Sequence, residues 1–385
     1  MERGAAATVP EGNPMATNVH AEHVGSLLRP RWLLETRAAH RQGTLTSADL
    51  REAQDRAALE AIELQQQAGL EVFTDGEMRR DTWMAGLLES TGGVVPAELA
   101  DVRWHRGQGT APGQETAFDT VAARDRVTRK AAHTSVEAAF MAGHAPGPFK
   151  ITMQSASMGG MIWRPGISDT AYPSPADLVR DLVALQIEEI EGLIDQGVRW
   201  IQLDSLGYNQ VFDEEFRAAT GLGAVPPEAI LAATVTADAE LVRAAKAKDP
   251  AVTVGMHLCR GNNRSAWMAS GSYEPVAERL FGEVGVDRFL LEYDTGRAGG
   301  FEPLRFVPPG TTVVLGLVSS KLPRLESPEE LRRRVDDASR FVPLADLALS
   351  PQCGFASTAG GNQLTVDDER RKLELVAGTA SKIWG

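Results

Sequence analysis

The chain has 385 residues, of which 43% are hydrophobic, so it can bury a large core without covalent staples. Its formal net charge of −13 disfavours nucleic acid and anionic membrane surfaces as partners and points to small-molecule chemistry. Two cysteines, Cys259 and Cys353, exclude a disulfide framework and suit a reducing cytoplasm, and no run of 18 apolar residues or secretory signal is present.

Residues 1–17, "MERGAAATVPEGNPMAT", are small, polar and Pro/Gly-bearing, and are expected to be a disordered lead-in. From residue 18 to 385 the pattern reads as one domain of short apolar, β-branched runs separated by helical stretches, the signature of βα units around a parallel sheet. Eight runs are expected as strands: 19–26, 69–77, 149–156, 198–205, 251–259, 287–294, 311–321 and 344–353. Helices are expected over 47–68, 174–195, 226–247, 273–283, 327–341 and 366–382, and Ser327 followed by Pro328 and two glutamates is a good N-terminal signal. Eight such units predict an α/β fold of the (β/α)8, or TIM barrel, type. The glycine-punctuated stretch 88–147 reads as an insertion after the second strand, covering the barrel mouth. The pattern carries no signal of oligomeric state.

Strand ends supply the functional argument. Seven of the eight runs finish in polar or reactive residues, among them Ser26, Glu77, Asp204, His257 with Cys259, Glu292 and Cys353. In a barrel these ends converge on one face, where catalytic groups sit. Residues two apart on a strand point to the same side, so His257 and Cys259 in "VGMHLCRGN" can face one point. Cys353 in "SPQCGF" and Glu292 in "FLLEYD" complete a set that fits zinc. The alternative is two buried cysteines, an interior histidine and a Glu292–Arg260 ion pair. Two thiolates and a carboxylate outweigh Zn²⁺ by one negative charge, which favours activation of an incoming thiol over hydrolysis. The chemistry implied is S-alkylation.

At these residues the sequence resembles the cobalamin-independent methionine synthase family, in its C-terminal catalytic barrel and short stand-alone form. The resemblance implies His257, Cys259, Glu292 and Cys353 as zinc ligands. "HVGSLLRP" is similar to the segment that holds the homocysteine carboxylate, implicating Ser26; "TDGEMRRDTW" and "IQLDS" look like those whose acids grip the α-amino group, here Glu77 and Asp204. It therefore implies a zinc-dependent methyltransferase acting on homocysteine or a similar thiol in methionine biosynthesis. The alkyl donor would be a methylfolate, a methylated corrinoid protein or another methylated compound.

Two departures stand out. The family's proton-handling histidine after the seventh strand is replaced by Val318, and its Glu-Pro pair after Asp204 by Ser205 and Leu206. Tyr293, Asp294, Lys321 and His23 are candidates for the missing acid. Trp163 and Tyr172 can stack on a flat donor or pack under their own loop. Two other readings of the same architecture are ring opening that resembles epoxyalkane:coenzyme M transferase, and a non-catalytic barrel that binds zinc or a thiol.

Overall fold

The computed structural model describes residues 19–84, 90–99, 104–105, 118–132, 134–219, 223 and 225–385; the expected lead-in lies outside them. Six of the eight expected runs form continuous strands: β3 (Ile151–Gln154), β4 (Trp200–Ser205), β5 (Thr253–Leu258), β6 (Arg288–Glu292), β7 (Thr312–Val318) and β8 (Leu347–Pro351) make a parallel sheet in chain order. Their near-continuous burial explains why they read as apolar runs without alternation.

The first two runs depart from expectation: each contributes a single parallel bridge, Ala21 to Leu349 and Phe73 to Phe149. Side chains take the place of a ladder there. The carbonyls of His23, Val24 and Gly25 accept from Lys150 Nζ, Gln202 Nε2 and Thr74 Oγ1, and Gln65 of a helix bonds both the N–H and the carbonyl of Thr74. Leu27 N–H donates to the Gly76 carbonyl at 3.1 Å, which links the two segments and closes the ring. The fold is the (β/α)8 barrel.

The expected helices are present as Ser47–Gln67, Pro175–Asp195, Pro227–Lys248, Glu274–Glu283, Pro328–Ala338 and Val366–Trp384. Thr46 with Asp49, and Thr365 with Asp368, form capping boxes, and Ser327 caps the helix that begins at Pro328. The helix Arg31–Arg41 was not among those expected. It buries Leu33 and Arg37, and Arg37 is held by the carbonyls of Met78 and Arg80, so its inward face is partly polar and gives little apolar periodicity.

Between the second and third segments lie an antiparallel hairpin, β1 (Thr91–Leu99) with β2 (Phe118–Arg129), and the helix Ser135–His144. A register shift between Gly92 and Val94 accommodates Gly93 at φ 81°, where a Cβ would lie 2.4 Å from the Arg126 carbonyl oxygen; only glycine fits such a bulge. Further along, His105 bridges and stacks on Trp267, ring centroids 4.5 Å apart, so this part of the chain reaches the loop after β5.

Candidate metal centre

Neighbouring parallel strands carry the site. Asp204 on β4 stands beside His257 on β5, and Glu292 ends β6. Cys259 immediately follows β5 and Cys353 follows β8 by two residues. One atom from each of His257, Cys259, Glu292 and Cys353 lies within 4.8 Å of the others.

His257 and Glu292 are each held by one atom and leave another free. His257 Nδ1 faces the Leu290 carbonyl at 3.2 Å, while Nε2 is buried without a partner. Glu292 Oε1 accepts the Arg260 backbone N–H at 2.9 Å, while Oε2 is buried without a partner. The sulfurs of Cys259 and Cys353 are 3.6 Å apart, close to the roughly 3.8 Å that tetrahedral zinc with ~2.3 Å bonds to sulfur would set. The Gly261 N–H donates to Cys259 Sγ at 3.3 Å. Orphaned buried acceptors of this kind call for an ion, and the donor set fits zinc.

The electrostatics agree. The hydrogen bond from Cys259, assisted by His257, holds the Cys353 thiol well below its ordinary range against the effect of burial. His257 reaches about 9: burial would lower it, but the Cys353 thiolate, Asp204 and Glu292 outweigh that effect. Burial raises Glu292, against the opposing charge of Lys321. The cluster demands positive charge at its centre.

The cavity beside these ligands is lined by Ser26, Glu77 and Asp204 as well as by His257, Cys259 and Cys353. Glu77 has φ 56°, a conformation that strains a non-glycine residue by about 1–3 kcal/mol and persists where surroundings enforce it. Its N–H donates to Asp75 Oδ1 at 2.8 Å and its carbonyl accepts from Arg29 at 3.0 Å. Glu77 Oε1 accepts from Thr152 Oγ1 at 3.0 Å, with Arg80 at 3.8 Å, while Oε2 is buried without a partner. Asp204 accepts from Gln202 at 2.8 Å, and burial pushes it up to about 7, countered by His257 and reinforced by Glu77. Ser26 packs so closely on the turn after β8 that a Cβ on Gly354 would sit 2.0 Å from Ser26 Oγ; a side chain there would displace the Ser26 hydroxyl.

The Glu292–Arg260 ion pair of the alternative reading does not form through the guanidinium, which stacks over Tyr273 at 4.4 Å. None of the four acid candidates lines the cavity. His23 Nε2 is bonded to Gln65 and burial, reinforced by Lys150, lowers it to about 3. Tyr293 is buried beside Tyr273 and Phe301. Asp294 pairs with Arg297 at 3.1 Å, and Lys321 donates to the Gly261 carbonyl and Asn262 Oδ1. Val318 is buried within β7. Trp163 donates to the Tyr172 carbonyl and Tyr172 bonds Asp181, so these two rings pack under their loop. Sequence reasoning missed the remaining lining, notably Trp83, Met84, Trp104, Met161 and Met268.

Residues 22–368 match the family model for the cobalamin-independent synthase catalytic domain. The chain belongs to that family. YxjH of Bacillus subtilis (strain 168), an uncharacterised protein, is 36% identical over 374 residues, 94% of each chain. A methionine synthase of Saccharolobus solfataricus is 23% identical, with 86% of each covered. Among solved structures, a putative vitamin-B12 independent methionine synthase from Listeria monocytogenes superposes with a TM-score of 0.70 and 27% identity, covering 97% of this chain and 100% of that one. Membership places the chain among the methionine synthase-like methyltransferases. Among the described residues, no helix is long and apolar enough to cross a membrane.

Proposed function

We propose that this protein is a zinc-dependent thiol alkyltransferase that methylates homocysteine or a close analogue, drawing on a small-molecule or protein-bound methyl donor. The observation that carries the reading is the convergence of two thiols, an orphaned His257 Nε2 and an orphaned Glu292 Oε2 on one point beside the cavity. Zinc held by His257, Cys259, Glu292 and Cys353 would keep an incoming thiol ionised at neutral pH.

The chain's own residues orient that thiol. Glu77, through its free Oε2, and Asp204 receive the substrate ammonium in charge-assisted hydrogen bonds. Ser26 and the backbone turn at Gly354 receive its carboxylate. Holding both ends fixes the sulfur for attack along one line, which is where most of the rate advantage of a bimolecular transfer lies. Thr152 and Arg80 restrain Glu77 so that this geometry exists before substrate arrives.

The test is metal analysis of the purified protein followed by mass spectrometry of thiol products with methylfolate, methylcobalamin and other methylated donors. About one zinc per chain and a methylated thiol are expected. A zinc-loaded protein that consumes no thiol with any donor would overturn the reading, as would full zinc occupancy in Cys353→Ser.

A further inference from the structure

The lining of the cavity includes two kinds of side chain that bear on its guest. One is acidic: among the described lining residues the carboxylates are Glu77 and Asp204, and none is lysine or arginine. The other is aromatic and thioether, from Trp83, Met84, Trp104, Met161 and Met268. Trp104 is buried with Ala266 in a small cluster against which Met161 and Met268 pack, so its ring is fixed in place. Indole faces and carboxylates in a shielded cavity attract the same kind of guest, a desolvated cation.

Departure of the leaving group points the same way. A donor that carries its methyl on neutral nitrogen leaves as an anion unless an acid protonates it. Of the acids that line the cavity, Glu77 and Asp204 are taken by the substrate ammonium, and His23, Tyr293, Asp294 and Lys321 all lie outside the lining. A methyl group on a positively charged atom needs no such acid.

We infer that the alkyl donor is a small methyl-onium compound, a sulfonium or a quaternary ammonium, whose charged centre is received by Trp83 and Trp104 within the acidic cavity. This rests on the proposed thiol alkylation and specifies its electrophile. The thiolate's electron pair forms the new sulfur–carbon bond as the bond from methyl to the onium atom breaks. That bond's pair returns to the leaving atom, which departs as a neutral sulfide or tertiary amine. The thiolate's negative charge and the onium's positive charge cancel, and no proton is consumed.

Two measurements test it. Calorimetric titration of the zinc-loaded protein compares choline with its neutral isostere, 3,3-dimethylbutan-1-ol. Choline should bind about tenfold more tightly; Trp104→Leu should erase the preference and Trp104→Phe should retain most of it. Equal binding of the two compounds by the parent protein, or an unchanged preference in Trp104→Leu, overturns the inference. Turnover with homocysteine is then followed with trimethylsulfonium, glycine betaine, methyltetrahydrofolate and methylcobalamin. Methylation by either onium compound, at least about tenfold faster than by the other two, is expected, and the faster of the pair identifies the source. Turnover with methyltetrahydrofolate or methylcobalamin alone overturns the onium donor and leaves the thiol alkyltransferase standing. No turnover with any donor removes the alkyltransferase itself.

Discussion

The barrel buries two clusters of charge that are built on opposite principles. Around Glu22, Arg288 bonds Oε1 and Lys150 bonds Oε2, and Lys150 also reaches Gln202 and the His23 carbonyl. Both oxygens of that carboxylate are taken. Around the candidate metal centre, Glu77, Glu292 and His257 each keep one buried atom without a partner. Burial is alike in both, since Glu22, Glu77 and Glu292 are 0%, 3% and 0% exposed. The difference is satisfaction: a closed network holds the barrel together, whereas open valences gathered beside two thiols leave a place for an ion.

The contrast can be broken experimentally. The largest effect is expected for Glu22→Gln, which strands Lys150 and Arg288 in the core; removing one partner of a buried ion pair costs about 3–5 kcal/mol. Denaturant unfolding measures it, and zinc content per folded chain should be unchanged. Cys353→Ser should do the reverse. Metal affinity should fall by more than the roughly 10–100-fold that loss of an outer contact produces, while stability of the metal-free protein stays within about 1 kcal/mol of the parent; competition with a chromogenic chelator reads the affinity.

Glu77→Gln removes the free anionic oxygen and keeps the shape. Losing a charge-assisted hydrogen bond of about 1.5–3 kcal/mol should lower kcat/KM for the thiol by about ten- to a hundredfold, with zinc content intact. The last effect is a slope with pH and concerns Glu369, a buried carboxyl that accepts the neutral Leu28 N–H. Burial, opposed by that bond and by Arg29, pushes it up to about 8. The folded state therefore holds a proton that the unfolded chain has released above about pH 4.5. Its stabilising contribution is complete below that pH and declines as pH rises through 8, by at most about 1.4 kcal/mol per unit. Glu369→Gln should flatten that slope in urea titrations from pH 5 to 8.

Much of this was legible in the sequence because a strand has a period of two and a barrel gathers its strand ends. His257, Cys259, Glu292 and Cys353 needed only those two rules to be placed on one face, and the structure brings their ligand atoms together. The acids and aromatics of the cavity split by the same logic. Glu77 and Asp204 end expected strands and were visible; Trp83, Trp104 and Met268 come from irregular segments whose positions no periodicity encodes. The first two strands were overread for a related reason. Their apolar residues pack as a strand's would, but Lys150, Gln202 and Gln65 supply hydrogen bonds that a ladder would otherwise make, and such long-range partners leave no local trace.

One feature of the centre makes it self-reporting. Cys259 and Cys353 are the whole cysteine complement of the chain, and both belong to the ligand cluster. Under the proposed zinc reading, one ion would therefore protect every thiol of the chain at once. A colorimetric thiol count, read before and after a chelator is added, would then grade a preparation for occupancy on a bench spectrophotometer.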